Sequence, residues 1–226
     1  MTEVANPLLN LRVFSRNSTR ALNKPLLVMM ALGLFSQGKR EIEFVKYEEK
    51  LKDLLREFSR DARTPHADYP FWRLKNDSIW SVEPSNLNMN SSGDVSATVL
   101  RVNNATGRFS EEVQTWLLED KRHLTLATQQ VLDTYFPESL HQDLLSAVGF
   151  NGFEEVTPVR RRDPAFRDTV LTAYRRRCAV CSQDIRIGSI TVALEAAHIK
   201  WHQAGGPDNI NNGLCLCSTH HKLFDL

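Results

Sequence analysis

All four cysteines of this chain, and four of its seven histidines, fall within its last fifty residues. The order is Cys178-x2-Cys181, His198, Asn212, Cys215, Cys217-x2-His220 and His221. Zinc takes four tetrahedral sulfur or nitrogen ligands, and a two-residue gap lets a tight knuckle aim both members of a pair at one ion. Cys178, Cys181, Cys217 and His220 meet that demand across the 35 positions from Ser182 to Leu216. An ion there would staple a region too small to rely on its own core. Cys215, two residues before Cys217 and on the same side of an extended strand, is the alternative to His220.

Composition divides the chain at the same place. Residues 1–150 contain no cysteine and carry 18 basic against 19 acidic side chains. Residues 151–226 carry 10 against 8, six of the ten in Arg160–Arg162 and Arg175–Arg177. Such local clusters can neutralise phosphates even though the net charge is only +1. Two domains are expected, 1–150 and 163–226, joined by a glycine-, proline- and charge-rich linker over 151–162 within Asn151–Asp163. No apolar run reaches the roughly 18 residues of a membrane span, and no signal peptide opens the chain, so a soluble cytoplasmic protein is expected. In that reducing compartment paired cysteines read as metal ligands.

Apolar periodicity predicts a buried helix over Pro25–Phe35 and an amphipathic one over Phe44–Phe58. Tyr69–Leu74 and Ser78–Val82 read as a small aromatic hairpin or as paired extended segments, and Asn86–Asp94 as a polar loop. Helices return over Ser96–Val102, Ser110–Glu119, His123–Tyr135 and Glu138–Val148. Beyond the linker, Pro164–Tyr174 is helical, Ile190–Leu194 is strand-prone, Gly205–Asp208 is a turn and Ser218–Phe224 opens a last short helix. The fold class is α+β: a mainly helical N-terminal domain with a small β insert, then a ββα-metal unit.

Hydrolysis of a phosphodiester needs a base that works near neutral pH and positive charge on the phosphate oxygens. His220 and His221 diverge by about 100° on a helix, so only one can easily serve the zinc. His198 then has the pKa range of a base, and His221 can hold a divalent cation. Asn212 can orient the base, tie down backbone or add its oxygen to the metal.

Glu195-Ala196-Ala197-His198-Ile199, the Gly-Gly-Pro-Asp turn and Asn212 through Asp225 resemble a zinc-containing HNH endonuclease domain over residues 163–226. The resemblance implies His198, Asn212 and His221 as the catalytic set, with His198 as base and His221 as ligand of Mg2+ or Mn2+. Many relatives carry an acid directly before the first histidine. Ala197 stands there in this chain, and Glu195 is the substitute ligand. The chain stops about one turn after His221, where such domains would continue, so a truncated end is expected.

The first 150 residues, taken alone, suit a partner-binding scaffold. Arg16, Arg20 and Lys24 recur every four residues and fit either phosphate contact or a solvated face. Asn23-Lys24-Pro25, Tyr69-Pro70-Phe71-Trp72-Arg73-Leu74, Trp80, Gly93-Asp94-Val95-Ser96 and Tyr135-Phe136-Pro137 resemble the sulfur-binding domain of phosphorothioate-dependent restriction endonucleases. That resemblance implies an apolar cup for the DNA sulfur at Tyr69 and Pro70. Arg16, Asn23 and Lys24 would lie around it, and the loop near Asp94–Ser96 would reach base edges. Arg20 and Arg73 are also expected to contact DNA. Asn23 replaces a usual histidine and Arg73 a usual small residue, which makes the cup less apolar. Phe71, Trp72 and Trp80 are expected in the core.

Together these features imply an endonuclease acting on double-stranded, phosphorothioate-modified DNA, with structural Zn2+ and catalytic Mg2+ or Mn2+, and they allow a homodimer. The alternatives are a modification reader whose HNH end no longer cuts, and an HNH nuclease indifferent to sulfur.

Overall fold

Two short antiparallel strands, β1 (Ser15–Arg16) and β2 (Thr19–Arg20), lead into α1 (Asn23–Ser36). The computed structural model describes residues 8, 11–13, 15–16, 19–59, 64–150, 164–188 and 190–226. The expected linker and Arg160–Arg162 lie outside the described residues. Every residue of α1 from Pro25 to Phe35 is buried, as its all-round apolar sequence requires. Pro25 falls in the first turn, where its missing N–H breaks no helical bond.

The amphipathic helix α2 (Phe44–Phe58) buries Phe44, Leu51, Leu54, Leu55 and Phe58, together with Glu48. Arg101 closes on Glu48 with two bonds of 2.6 and 2.7 Å, and Lys52 adds a 2.7 Å contact. Arg101 is the main cause that holds the Glu48 carboxyl down at about 2, against the opposing effect of burial and with help from Lys52.

The aromatic hairpin expected from the sequence is not formed. Asp68–Arg73 is a helix, α3, and Leu74–Asp77 continues it as a 3-10 turn. Phe71 and Trp72 are consecutive and both buried, which a half-buried strand does not allow, and Pro70 occupies a first-turn position that needs no N–H. β4 (Trp80–Glu83) pairs instead with β5 (Thr106–Phe109), in register Trp80↔Phe109. β3 (Ile42–Glu43) lies on the other side of β5, giving the antiparallel order β3-β5-β4. Gly107 sits in the central strand because a Cβ there would stand 2.3 Å from the Trp80 ring. The space it leaves is filled by edge-to-face contacts from Phe71 to Trp80 and from Trp80 to Phe109, with centroids 5.9 and 5.7 Å apart.

The helices that follow are α4 (Ala97–Val102), α5 (Glu111–Glu119), α6 (Lys121–Tyr135) and α7 (His141–Val148). Ser96 caps α4, its hydroxyl accepting the Val99 N–H at 3.4 Å. The chain forms two compact units, one of residues 1–134 with 142–157, the other of 135–141 with 158–226.

In the second unit α8 (Pro164–Ala173) precedes a hairpin of β6 (Ile185–Ile187) and β7 (Ile190–Val192). Then β8 (Leu194–His198) pairs antiparallel with β9 (Gly213–Cys217), in register Glu195↔Leu216 and His198↔Gly213. The final helix is α9 (Ser218–Asp225). Phe166, Val170 and Leu171 of α8 pack with Leu194, Ala196, Ala197, Cys215 and Leu216 to form this unit's core. The fold is α+β, a helical unit with a small sheet followed by a ββα unit. No described helix is long and apolar enough to cross a membrane.

Candidate functional site

The turns after α8 and the start of α9 bring Cys178, Cys181, Cys217 and His220 together, with their four donor atoms within 4.8 Å of one another. Cys181 Sγ lies 3.9 Å from Cys217 Sγ, and His220 Nδ1 lies 3.7 Å from Cys178 Sγ and 3.1 Å from Cys217 Sγ. Zn–S and Zn–N bond lengths place tetrahedral ligand atoms about 3.3 to 3.8 Å apart. The separations of 3.1, 3.7 and 3.9 Å lie within a few tenths of an ångström of that range, so three thiols and one imidazole so grouped suit zinc. Burial opposes ionisation of the Cys178 thiol, but backbone N–H groups of Cys181, Cys217 and Val180 outweigh it and bring it down to about 6. Cys215 is not in the group. It is buried opposite Ala196 in the core, and burial pushes its thiol up.

The second arrangement lies at the far end of the same strand pair. His198 ends β8, its ring stacked on Phe166 at 4.4 Å and 19°, with Nε2 2.6 Å from Asp208 Oδ1. Asn212 ends a 3-10 turn (Ile210–Asn212) and closes the intervening loop onto its own backbone. Its Oδ1 accepts the Lys200 N–H at 2.8 Å, and its Nδ2 donates to the Lys200 and Pro207 carbonyls at 3.0 and 3.1 Å. Of the three roles open to Asn212 from sequence, the geometry matches tying down backbone. Gly206 belongs to this closure, because a Cβ there would stand 1.8 Å from the Lys200 carbonyl oxygen and 2.8 Å from Asn212 Nδ2.

His221, on α9, is buried between two carboxylates. Its Nδ1 lies 2.5 Å from Glu195 Oε2, and its Nε2 3.3 Å from Asp225 Oδ2. Ser218 donates to the other Glu195 oxygen at 2.7 Å. Glu195 and His221 offer one anionic oxygen and one imidazole nitrogen side by side, donors that suit Mg2+ or Mn2+. Asp208 and Asp225 were not singled out by sequence reasoning. Asp225 carried a signal, since it stands four residues after His221 on the same helix face. Asp208 carried none, because the loop that returns it to His198 has no periodicity.

In the first unit the residues expected to meet DNA are distributed over β1, β2, α1, α3 and the loop before α4. Pro70 is buried and Tyr69 is 37% exposed. Arg73 stands 4.8 Å over the Tyr69 ring, and His66 stacks on that ring at 4.9 Å. Arg73 also makes a bidentate pair with Asp94, at 2.6 and 2.5 Å, which lowers the Asp94 carboxyl below its usual range. Trp72 Nε1 donates to the Gly93 carbonyl, and Asn90 Oδ1 accepts the N–H groups of Ser92 and Asp94, so the polar loop is anchored on both sides. Lys24 donates to Asp77 at 2.6 Å. Asn23 opens α1, Ser96 is exposed, and Arg16 and Arg20 stand on the paired strands β1 and β2. Phe71, Trp72 and Trp80 are buried, as expected.

Two families match the chain: a ScoMcrA-like DNA sulfur-binding domain over residues 2–153 and an HNH endonuclease over residues 178–226. Among solved structures, the sulfur-binding domain of ScoMcrA complexed with phosphorothioated DNA is 21% identical, with a TM-score of 0.55 over 63% of this chain and 92% of that one. The corresponding SprMcrA domain complex is 20% identical, with a TM-score of 0.53 over 63% and 90%. The Type IV phosphorothioation-dependent restriction endonuclease ScoMcrA is 19% identical, with a TM-score of 0.54, and the match covers 66% of this chain but only 32% of that one. These likenesses are of fold, and no curated protein matches the chain. Since the first family spans well over half of the sequence and the second covers its metal-rich end, the chain belongs to the ScoMcrA-like DNA sulfur-binding domain family and carries a C-terminal HNH endonuclease domain.

Proposed function

We propose that this protein is a DNA endonuclease of a phosphorothioate-directed restriction system. Residues 1–150 read double-stranded DNA, and the ββα unit hydrolyses its backbone. A sulfur in place of a phosphate oxygen is larger and less hydrated, so an apolar wall such as Tyr69 and Pro70, set among cations, can select it. Arg16, Arg20, Asn23, Lys24, Arg73 and Ser96 are assigned to the DNA contact. Such work belongs in the cytoplasm. With one cutting site per chain, a double-strand break needs two chains or two successive nicks.

For the chemistry, His198 would donate Nε2–H to Asp208 and take the proton of the attacking water at Nδ1. Stacking on Phe166 limits rotation of the ring. Asn212 keeps the loop closed, so that Asp208 remains within reach of His198. Glu195 and His221 would hold Mg2+ or Mn2+, which when bound supplies positive charge against the scissile phosphate. Cys178, Cys181, Cys217 and His220 would hold a zinc ion that takes no part in the chemistry and joins the knuckle to α9. The observation that carries the nuclease reading is the approach of Glu195 Oε2 to His221 Nδ1, since it puts a two-donor cation seat into the same small unit as a clamped histidine.

The Arg73–Asp94 pair favours a second reading, a nuclease of this kind with no preference for sulfur, because it sets charge beside Tyr69 where the cup should be apolar. Modified and unmodified plasmid incubated with Mn2+, scored for filter retention and for nicking, test both. Nicking confined to modified plasmid supports the first reading, and equal nicking of both supports the second. Retention without nicking would remove the enzyme.

A further inference from the structure

His221 has a carboxylate at each ring nitrogen, and the two differ in exposure. The Glu195 side chain, beside Nδ1, is 41% exposed, whereas that of Asp225, beside Nε2, is 2% exposed. A DNA phosphate can approach only from the open side, so the Nδ1 edge is the one that can serve a cation shared with DNA. Neutral imidazole carries one N–H, and a ligand nitrogen must offer its lone pair. The proton must therefore sit on Nε2, inside the protein, where it needs an acceptor. Without one, anionic Glu195 would draw the proton to Nδ1 and block the ligand position.

Asp225 Oδ2, 3.3 Å from Nε2, is placed to be that acceptor, and it is itself braced. Ser139 donates its hydroxyl to the same Asp225 oxygen that faces His221. Ser139 lies in the 3-10 turn Glu138–Leu140, which packs against α9 within the same compact unit. In sequence it lies outside the HNH match and inside the sulfur-binding one. We propose that Asp225, braced by Ser139, is the positioning residue that keeps Nδ1 of His221 open for the divalent cation. The nuclease unit would thus draw one of its supports from a segment that precedes the HNH sequence. This inference rests on the nuclease reading.

The test uses the full chain loaded with zinc. Mn2+ affinity is measured by electron paramagnetic resonance, and the His221 tautomer by 15N chemical shifts before Mn2+ is added. Asp225→Ala is expected to weaken Mn2+ binding by about 10- to 100-fold and to shift His221 from the Nε2–H form towards Nδ1–H, with zinc content unchanged. Asp225→Asn keeps an accepting oxygen and is expected to recover most of the affinity. Ser139→Ala should cost several-fold. Wild-type Mn2+ affinity and wild-type 15N shifts in both alanine variants overturn the assignment of Asp225. If Asp225→Ala loses its zinc, Ser139→Ala decides: a several-fold loss supports the brace, and no loss overturns it. Failure of the wild-type chain to bind Mn2+ overturns the nuclease reading and this inference together.

Discussion

In the cutting unit each chemically able side chain is held from several directions, while in the reading unit Arg73 and Lys24, two of the cations assigned to DNA, are each paired with a single acid. His198 is fixed by Asp208 and by the face of Phe166, Asn212 by three bonds to backbone, and His221 by Glu195 and Asp225. Arg73 and Lys24 each answer to one carboxylate, and the Arg73 side chain is 49% exposed. Proton transfer requires donor and acceptor within hydrogen-bond reach, whereas attraction between a cation and a phosphate falls off slowly with distance. Rigidity therefore belongs with the first task and adjustability with the second.

Metal removal should break the comparison most completely. Cys178→Ser, or a strong chelator, is expected to unfold the ββα unit and abolish cleavage while filter retention of DNA persists, because the first unit owes nothing to zinc. Circular dichroism, zinc content and retention on one sample check this. Next in size is His198→Ala, expected to slow nicking by about 10²–10⁴-fold with zinc content, melting and retention unchanged. Unimpaired nicking would remove His198 as the base. A smaller effect should sharpen the other side: Arg73→Ala is expected to weaken binding to every DNA a few-fold while raising the ratio of modified to unmodified binding, measured by competition. An unchanged ratio would detach Arg73 from sulfur selection.

The smallest effect concerns the frame of the reading unit. The Glu48 carboxyl binds its proton more weakly in the folded chain than in the unfolded one, so its stabilising effect is full above its ordinary value of 4.5 and fades as pH falls towards about 2. Glu48→Gln should therefore lower the melting temperature at pH 7 by a few degrees, with the gap narrowing on acidification towards pH 2.

The two units also differed in how far the sequence could be read. Ligand spacing in the cutting unit is a local geometric rule, so Cys178, Cys181, Cys217 and His220 could be grouped before any fold was seen, and these same four converge. Cys215 met the same local rule and is excluded by its burial in the core against α8, which spacing does not encode. Helices α1 and α2 followed their apolar patterns. α3 did not, because buried residues adjacent in sequence carry no period, and β3, only two residues long, exists through its pairing with β5. Asp208 and Ser139 reach their partners across 10 and 86 positions, distances at which the chain leaves no pattern.

The closed loop at Asn212 makes one position intolerant for reasons unrelated to DNA. It asks of a single short side chain one acceptor and two donors in a plane, with no room at Gly206 for compensating movement. Aspartate is nearly isosteric yet would turn both donors into acceptors facing the Lys200 and Pro207 carbonyls, and glutamine carries the right groups one carbon too far out. The alphabet therefore offers asparagine alone. A library randomised at this codon and selected for cleavage should return nearly a single letter, whatever DNA the protein is asked to cut.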